Sequence, residues 1–210
     1  AAKRHGVIAM SSNESVALST DVLLTVDGDQ AQACFTLKQH ETATFILAYQ
    51  GRRTHRVQKS HKKTLAHTQA YWQGVAGQVQ YCGPWKDRVI RSCLLLHLLI
   101  YSPTGAVVAA PTTSLPEMIG GSRNWDYRYS WLRDSAFTWQ ILCCLVDYSG
   151  TRHFLNWLLY QCKVAVNGAN LVFGIDPLSA LREQTLDHLE GYKGSGPVRI
   201  GNGAATMIQM

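Results

Sequence analysis

The amino-acid sequence predicts a mixed fold: the end of an antiparallel β domain, followed by an all-α region whose helices run antiparallel in a helical toroid. Three observations carry that reading. Up to Tyr49 the chain shows short, alternating apolar runs with an Asp27-Gly28-Asp29 turn between two of them, which is a hairpin signal. From Leu65 onward the apolar residues recur instead at helical spacing. The loops between these helices alternate between long and short, which gathers the long ones at one end, where functional groups concentrate.

The β region reads as Val16–Leu18, Val22–Val26, Ala33–Leu37 and Thr44–Tyr49. Three or four strands neither close a sandwich nor cover both faces of a sheet, so this piece is expected to be the tail of a larger β domain. A basic run from Arg52 to Lys63 follows as a linker. The first helix spans Thr64–Gln80, with Leu65, Trp72, Val75 and Val79 on one stripe. The second begins near Trp85, with Pro84 just ahead of it, and runs through Val89, Cys93, Leu96 and Ile100 until Ser102-Pro103-Thr104-Gly105 stops it. After the loop Ala110–Arg128, with Pro111 and Pro116, a third helix is expected from Ser130 to Asp147, ended by Gly150. A fourth runs from Arg152 to Val166 and ends at Asn167-Gly168. Gly191, Gly194, Gly196 and Pro197 mark a further loop, and Gly203–Met210 looks like the start of another helix.

Composition narrows the class of protein. With 210 residues, 46% hydrophobic and 16% charged, the chain is an ordered globular protein. The net charge of +6 could suggest a polyanion partner, but much of the excess sits in Arg52, Arg53, Arg56, Lys59, Lys62 and Lys63. That run has no interleaved aromatic residue and no nucleic-acid-binding signature, so it reads as a solvated linker and no nucleic-acid partner is expected. The six cysteines show no C-x-x-C spacing, and Cys93, Cys143 and Cys144 lie in apolar runs; they read as buried free thiols. Eight histidines are scattered without paired-ligand spacing, so no metal site and no cofactor are expected. His97, set among leucines, reads as a core or helix-edge residue. No secretory leader opens the chain and Leu94–Ile100 is too short to span a bilayer, so no membrane partner is expected and a reducing, cytoplasmic setting fits.

The stretch Arg123-Asn124-Trp125-Asp126-Tyr127-Arg128-Tyr129-Ser130-Trp131-Leu132-Arg133-Asp134-Ser135 carries the chemistry. It alternates flat aromatic rings with guanidinium and carboxylate groups. A pyranose offers apolar C–H patches to an aromatic face, while its rim hydroxyls both donate and accept, so an Arg donor beside an Asp acceptor fixes one orientation. Ser130 is a plausible N-cap, which places Asp134 close to the positive end of the third helix, where a carboxylate is stabilised as an acceptor beside Arg133. The competing reading is an aromatic core segment with a local surface ion pair.

Two blocks resemble one family. Gly105-Ala106-Val107-Val108-Ala109-Ala110-Pro111-Thr112-Thr113-Ser114-Leu115-Pro116-Glu117 with Arg123–Thr138, and then His188-Leu189-Glu190-Gly191-Tyr192-Lys193-Gly194-Ser195-Gly196-Pro197-Val198-Arg199-Ile200-Gly201-Asn202, are similar to the bacterial glucoamylase and trehalase-like members of glycoside hydrolase family 15. The resemblance implies that residues 1–50 are the end of an N-terminal antiparallel β-sandwich, 51–84 a linker with its helix, and 85–210 the opening helices of an (α/α)6 barrel of the six-hairpin glycosidase type. It implies that Arg133 and Asp134 hydrogen-bond the 4- and 6-hydroxyls of the non-reducing glucose, that Tyr127 and Trp131 supply aromatic walls, and that Arg199 also faces the pocket.

The implied activity is inverting hydrolysis of α-glucosidic bonds from the non-reducing end, with an α-glucan or maltooligosaccharide as the leading substrate and trehalose as the alternative. A non-catalytic glucose-binding remnant is the other reading. Inversion needs one carboxylic acid to protonate the leaving oxygen and one carboxylate to activate water. In the family the acid lies in a Trp-Glu motif beyond the second block, and no Trp-Glu pair occurs in this chain. No catalytic residue is therefore assigned, and Glu117, Glu183 and Glu190 read as loop-fixing or surface carboxylates.

Overall fold

A computed structural model describes residues 2–3, 5–12, 14–57, 60–146, 151–164, 170–176 and 182–203. The chain divides into two compact units, Ala1–Tyr71 and Trp72–Met210.

In the first unit, β1 (Ala2–Lys3), β2 (Gly6–Met10), β3 (Ser15–Thr20) and β6 (Phe45–Tyr49) form an antiparallel sheet in that order. Ile8 on β2 lies opposite Ala17 on β3, and both are buried. A separate hairpin joins β4 (Thr25–Asp27) to β5 (Gln30–Gln32), with Asp27 opposite Gln30. Gly28 takes φ 54° at its tip, the left-handed conformation a tight two-residue turn demands. The hairpin forms, but Ala33–Leu37 adopts no strand. Phe35 and Leu37 are exposed there, and the short returning strand lies closer to the turn, at Gln30–Gln32. The basic run is irregular up to Val57, where the His55 amide donates to Ser19 Oγ at 3.1 Å, and then enters a helix earlier than the apolar spacing indicates. Its Arg52, Arg53, Arg56, Lys62 and Lys63 are exposed, while Lys59 lies outside the described residues.

That helix, α1, spans Ser60–Gly77. Past Gly77 the chain tightens, with Gln78 and Val79 amides donating to Val75 and Ala76 carbonyls, and Val79 is buried beyond the helix end. In the second unit, α2 (Lys86–Leu98), α3 (Leu132–Leu145) and α4 (Thr151–Val164) surround an apolar core. Trp139 of α3 stacks on Phe154 of α4 at 5.2 Å, and Trp157 meets Phe173 edge-on at 6.0 Å. Aromatic pairs at these separations add to the burial of their area. Helix α2 ends at Leu98, short of the expected Ile100, which instead bridges Val107 across a turn that uses Gly105, at φ 79°, whose Cβ would stand 2.8 Å from the Phe154 amide nitrogen. The helix expected over Gly203–Met210 lies outside the described residues except for Gly203, as do the stop at Gly150 and the one at Asn167-Gly168.

Two expectations need correction. Ser130 does not cap α3: it lies on β7 (Ser130–Trp131), paired with β8 (Val172–Phe173), and its buried hydroxyl meets Ser135 Oγ at 3.0 Å. Trp131 is the residue that enters the helix, with no side-chain cap. Of the cysteines read as buried, only Cys93 is; Cys143 and Cys144 are exposed. The buried stripe of α3 is Ser135, Thr138, Trp139 and Leu142, and consecutive helical residues step by about 100°, so the two positions after Leu142 turn away from it. No disulfide forms among the described residues, which include all six cysteines.

Candidate functional site

The long loop between α2 and α3 folds back on itself as a ribbon. Ala109 and Ala110 amides donate to the carbonyls of Tyr129 and Tyr127, Tyr127 N–H donates to Thr112, and Ser114 N–H donates to Trp125. In extended backbone, residues two apart share a face. Asn124 and Asp126 accordingly both turn toward the segment 195–202, and both are fully buried.

The contacts to that segment are dense. Asn124 Nδ2 donates to the Ser195 and Pro197 carbonyls at 3.1 and 3.2 Å. Asp126 Oδ1 accepts from the Arg128 amide and Nε at 3.1 and 2.9 Å, and Oδ2 accepts from an Arg128 terminal nitrogen at 2.8 Å and the Gly201 amide at 3.0 Å. Asn202 Nδ2 donates to the Asp126 carbonyl at 3.1 Å. Ser114 Oγ and Thr113 Oγ1 engage the Arg199 backbone of β10 (Arg199–Ile200), which pairs with β9 (Gln184–Thr185). Gly201 takes φ 78°, and a Cβ there would stand 2.1 Å from the Arg182 carbonyl oxygen, so no other residue fits. The two blocks singled out in the sequence are thus one laced unit in space. The hydrogen bonds to Asp126 raise the pKa of Arg128 above its ordinary value, outweighing the opposing effect of burial. Burial, and then the Asp126 charge, raise the Tyr129 phenol above its usual range.

The four expected sugar contacts fall into two pairs. Tyr127 and Trp131 lie with ring centroids 5.9 Å apart, inclined at 44°, and both are half-buried. Arg133 and Asp134, in the first turn of α3, form an ion pair at 3.2 Å with side chains 71% and 43% exposed. Neither polar group is sunk in a dry interior. A cavity of about 300 Å³ opens beside this region, but Asp126, Arg128, Tyr129, Arg182 and Gln184 line it, and none of the four expected residues does. Arg199 does not line that cavity either: it lies over the Trp125 ring at 4.6 Å, pairs with Glu183 at 3.4 Å and donates to the Ser122 carbonyl.

Two of the carboxylates set aside as non-catalytic, Glu117 and Glu183, are engaged locally. Glu117 pairs with Arg123 at 3.1 Å, and Glu183 also accepts the Gly203 amide at 3.2 Å. What sequence reasoning missed is Asp126 with Arg128. Their i, i+2 spacing on an extended segment is the signal, and it was hidden by the adjacent sugar-like pattern. Among the described residues, no cluster of three or more His, Cys, Asp or Glu could hold a metal ion, and no helix is long and apolar enough to cross a membrane.

The ribbon and the helix that follows it carry a family signature: the pattern of Glycosyl hydrolases family 15 matches residues 83–210, and the chain belongs to that family. Its similar curated relatives bear one name. It is 35% identical over 212 residues to a trehalase of Thermoplasma volcanium, covering 99% of this chain and 33% of that protein. It is 36% identical to a trehalase of Thermoplasma acidophilum, over 99% of this chain and 36% of the relative. A trehalase of Mycolicibacterium smegmatis is 35% identical over 94% of the chain and 30% of its own length. The chain therefore spans about a third of the length of the curated relatives it matches. No solved structure matches it significantly.

Proposed function

We propose that the protein is a glycosidase that hydrolyses trehalose with inversion, and that this chain supplies the subsite for one terminal glucose. The observation that carries the proposal is similarity to proteins named trehalase over 94% to 99% of the chain. Trehalose accordingly replaces α-glucan as the leading substrate. In this reading α2 to α4 are opening helices of the (α/α)6 toroid, within residues 85–210, preceded by the linker 51–84 and the end of a β-sandwich at 1–50.

The exposed Arg133–Asp134 pair supports the assignment of sugar contacts. Arg133 donates to one hydroxyl of the ring and Asp134 accepts from the next, with the 4- and 6-hydroxyls as their targets. Tyr127 and Trp131 face the apolar C–H patches. The general acid protonates the glycosidic oxygen while the general base draws a proton from water attacking the opposite face. Glu117 and Glu183 are tied to Arg123 and Arg199 and take neither role.

The test is to incubate the protein with trehalose and, in parallel, with maltooligosaccharides, following the anomer of glucose released. Trehalose hydrolysis yielding one β-glucose and one α-glucose is the expected outcome. Release from maltooligosaccharides alone returns the reading to a glucoamylase-like enzyme, and glucose binding without turnover makes it a non-catalytic sugar-binding protein.

A further inference from the structure

We infer that Asp126 is a positioning residue of the glucose subsite: its buried carboxylate locks the ribbon that carries Tyr127 onto the segment 195–202 and so sets the aromatic wall. The inference rests on the glycosidase reading above and deepens it.

The side chain of Asp126 is 0% exposed. A carboxylate offers about four acceptor directions, and here four N–H donors fill them: three from Arg128 and one from Gly201. The group therefore makes its contacts with the protein and none with sugar. Tyr127 lies between the two ends of this clamp. Its own amide and carbonyl are held by Thr112 and Ala110, and Asn124 anchors the ribbon again three residues earlier. Tyr127 cannot shift without breaking these bonds, and its ring is the neighbour of Trp131, which leads directly into the turn bearing Arg133 and Asp134.

An amide at this position keeps the shape but turns an NH2 toward donors that need an acceptor. The clamp then loosens, and Tyr127 moves relative to the sugar. A misplaced wall weakens substrate and transition state alike, which raises KM and spares kcat. A purely structural role gives another signature: fewer folded molecules, hence lower kcat per total protein at unchanged KM.

The experiment compares Asp126→Asn and Asn202→Ala with the unsubstituted protein on trehalose, normalising kcat to the folded fraction by circular dichroism. The expected result is a KM about tenfold higher for Asp126→Asn, with kcat within about twofold. Asn202→Ala, which loses the bond to the Asp126 carbonyl, should raise KM about threefold. Unchanged KM in both variants overturns the inference while leaving the glycosidase reading intact. If Asp126→Asn does not fold, Asn202→Ala decides by the same criterion. If the unsubstituted protein turns over no α-glucoside but binds glucose, the glucose Kd from tryptophan fluorescence replaces KM. If it does neither, the glycosidase reading fails and takes this inference with it.

Discussion

Arg133 and Asp134 are adjacent and oppositely charged, the first largely open to solvent and the second partly so. Exposed ion pairs contribute only about 0–1 kcal/mol to stability, so a purely structural pair and a substrate-gripping pair predict different mutants. Arg133→Ala and Asp134→Asn should each lower kcat/KM on trehalose by about 10- to 100-fold, the scale of a lost charge-assisted hydrogen bond. Thermal denaturation should meanwhile show each variant within about 0.5 kcal/mol of the unsubstituted protein. Equal activity in both variants would remove these residues from the subsite. Their pairing was legible in the sequence because neighbours at a helix start must lie close together. Asp126 was legible only through its i, i+2 spacing to Arg128, because its other partners, Gly201 and Asn202, are distant in the chain and only the folded loop brings them near.

At the scale of the elements, α3 shows how spacing decides burial. Trp139 and Leu142 take the core side of the helix, and Phe137, Ile141, Cys143 and Cys144 do not. An apolar run alone does not reveal which side faces the core; the neighbours do. The edge of α2 gives a pH prediction. His97 meets Trp72 edge-on at 5.6 Å, and burial pushes its imidazole below the usual 6.5. The unfolded chain therefore takes up this proton more readily than the folded one. This site's contribution to stability is fully present above about pH 6.5, is lost as pH falls, and levels off below the folded pKa. Tm should fall between about pH 8 and about pH 5, and His97→Phe, which keeps an aromatic ring against Trp72, should flatten that dependence. An unchanged slope in the variant would show that other groups govern it.

For the molecule as a whole, the exposed apolar side chains matter more than any single contact. Leu95, Leu98, Phe137, Leu155, Leu159 and Tyr160 are each about half exposed or more in the helical unit, as are Met10, Leu23, Leu47 and Tyr49 in the β unit. Apolar area left in water forgoes about 25 cal/mol per Å², and contiguous patches of it promote association. These 210 residues expressed by themselves should bind a hydrophobic dye and aggregate on heating. A monodisperse sample with a single cooperative transition would contradict this.

The sequence by itself determined the succession of a β region and helices, the Asp-Gly hairpin, the family and the pairing of Arg133 with Asp134. All of these depend on local spacing or on unbroken runs of residues. Tertiary structure alone decided that Ser130 lies on a strand instead of capping α3, that Cys143 and Cys144 face outward, that Arg199 rests on Trp125, and that Asp126 fastens two distant blocks together. The physical reason is common to all four: each is settled by which non-local partner offers a hydrogen bond or a covering surface, and no local pattern encodes that partner.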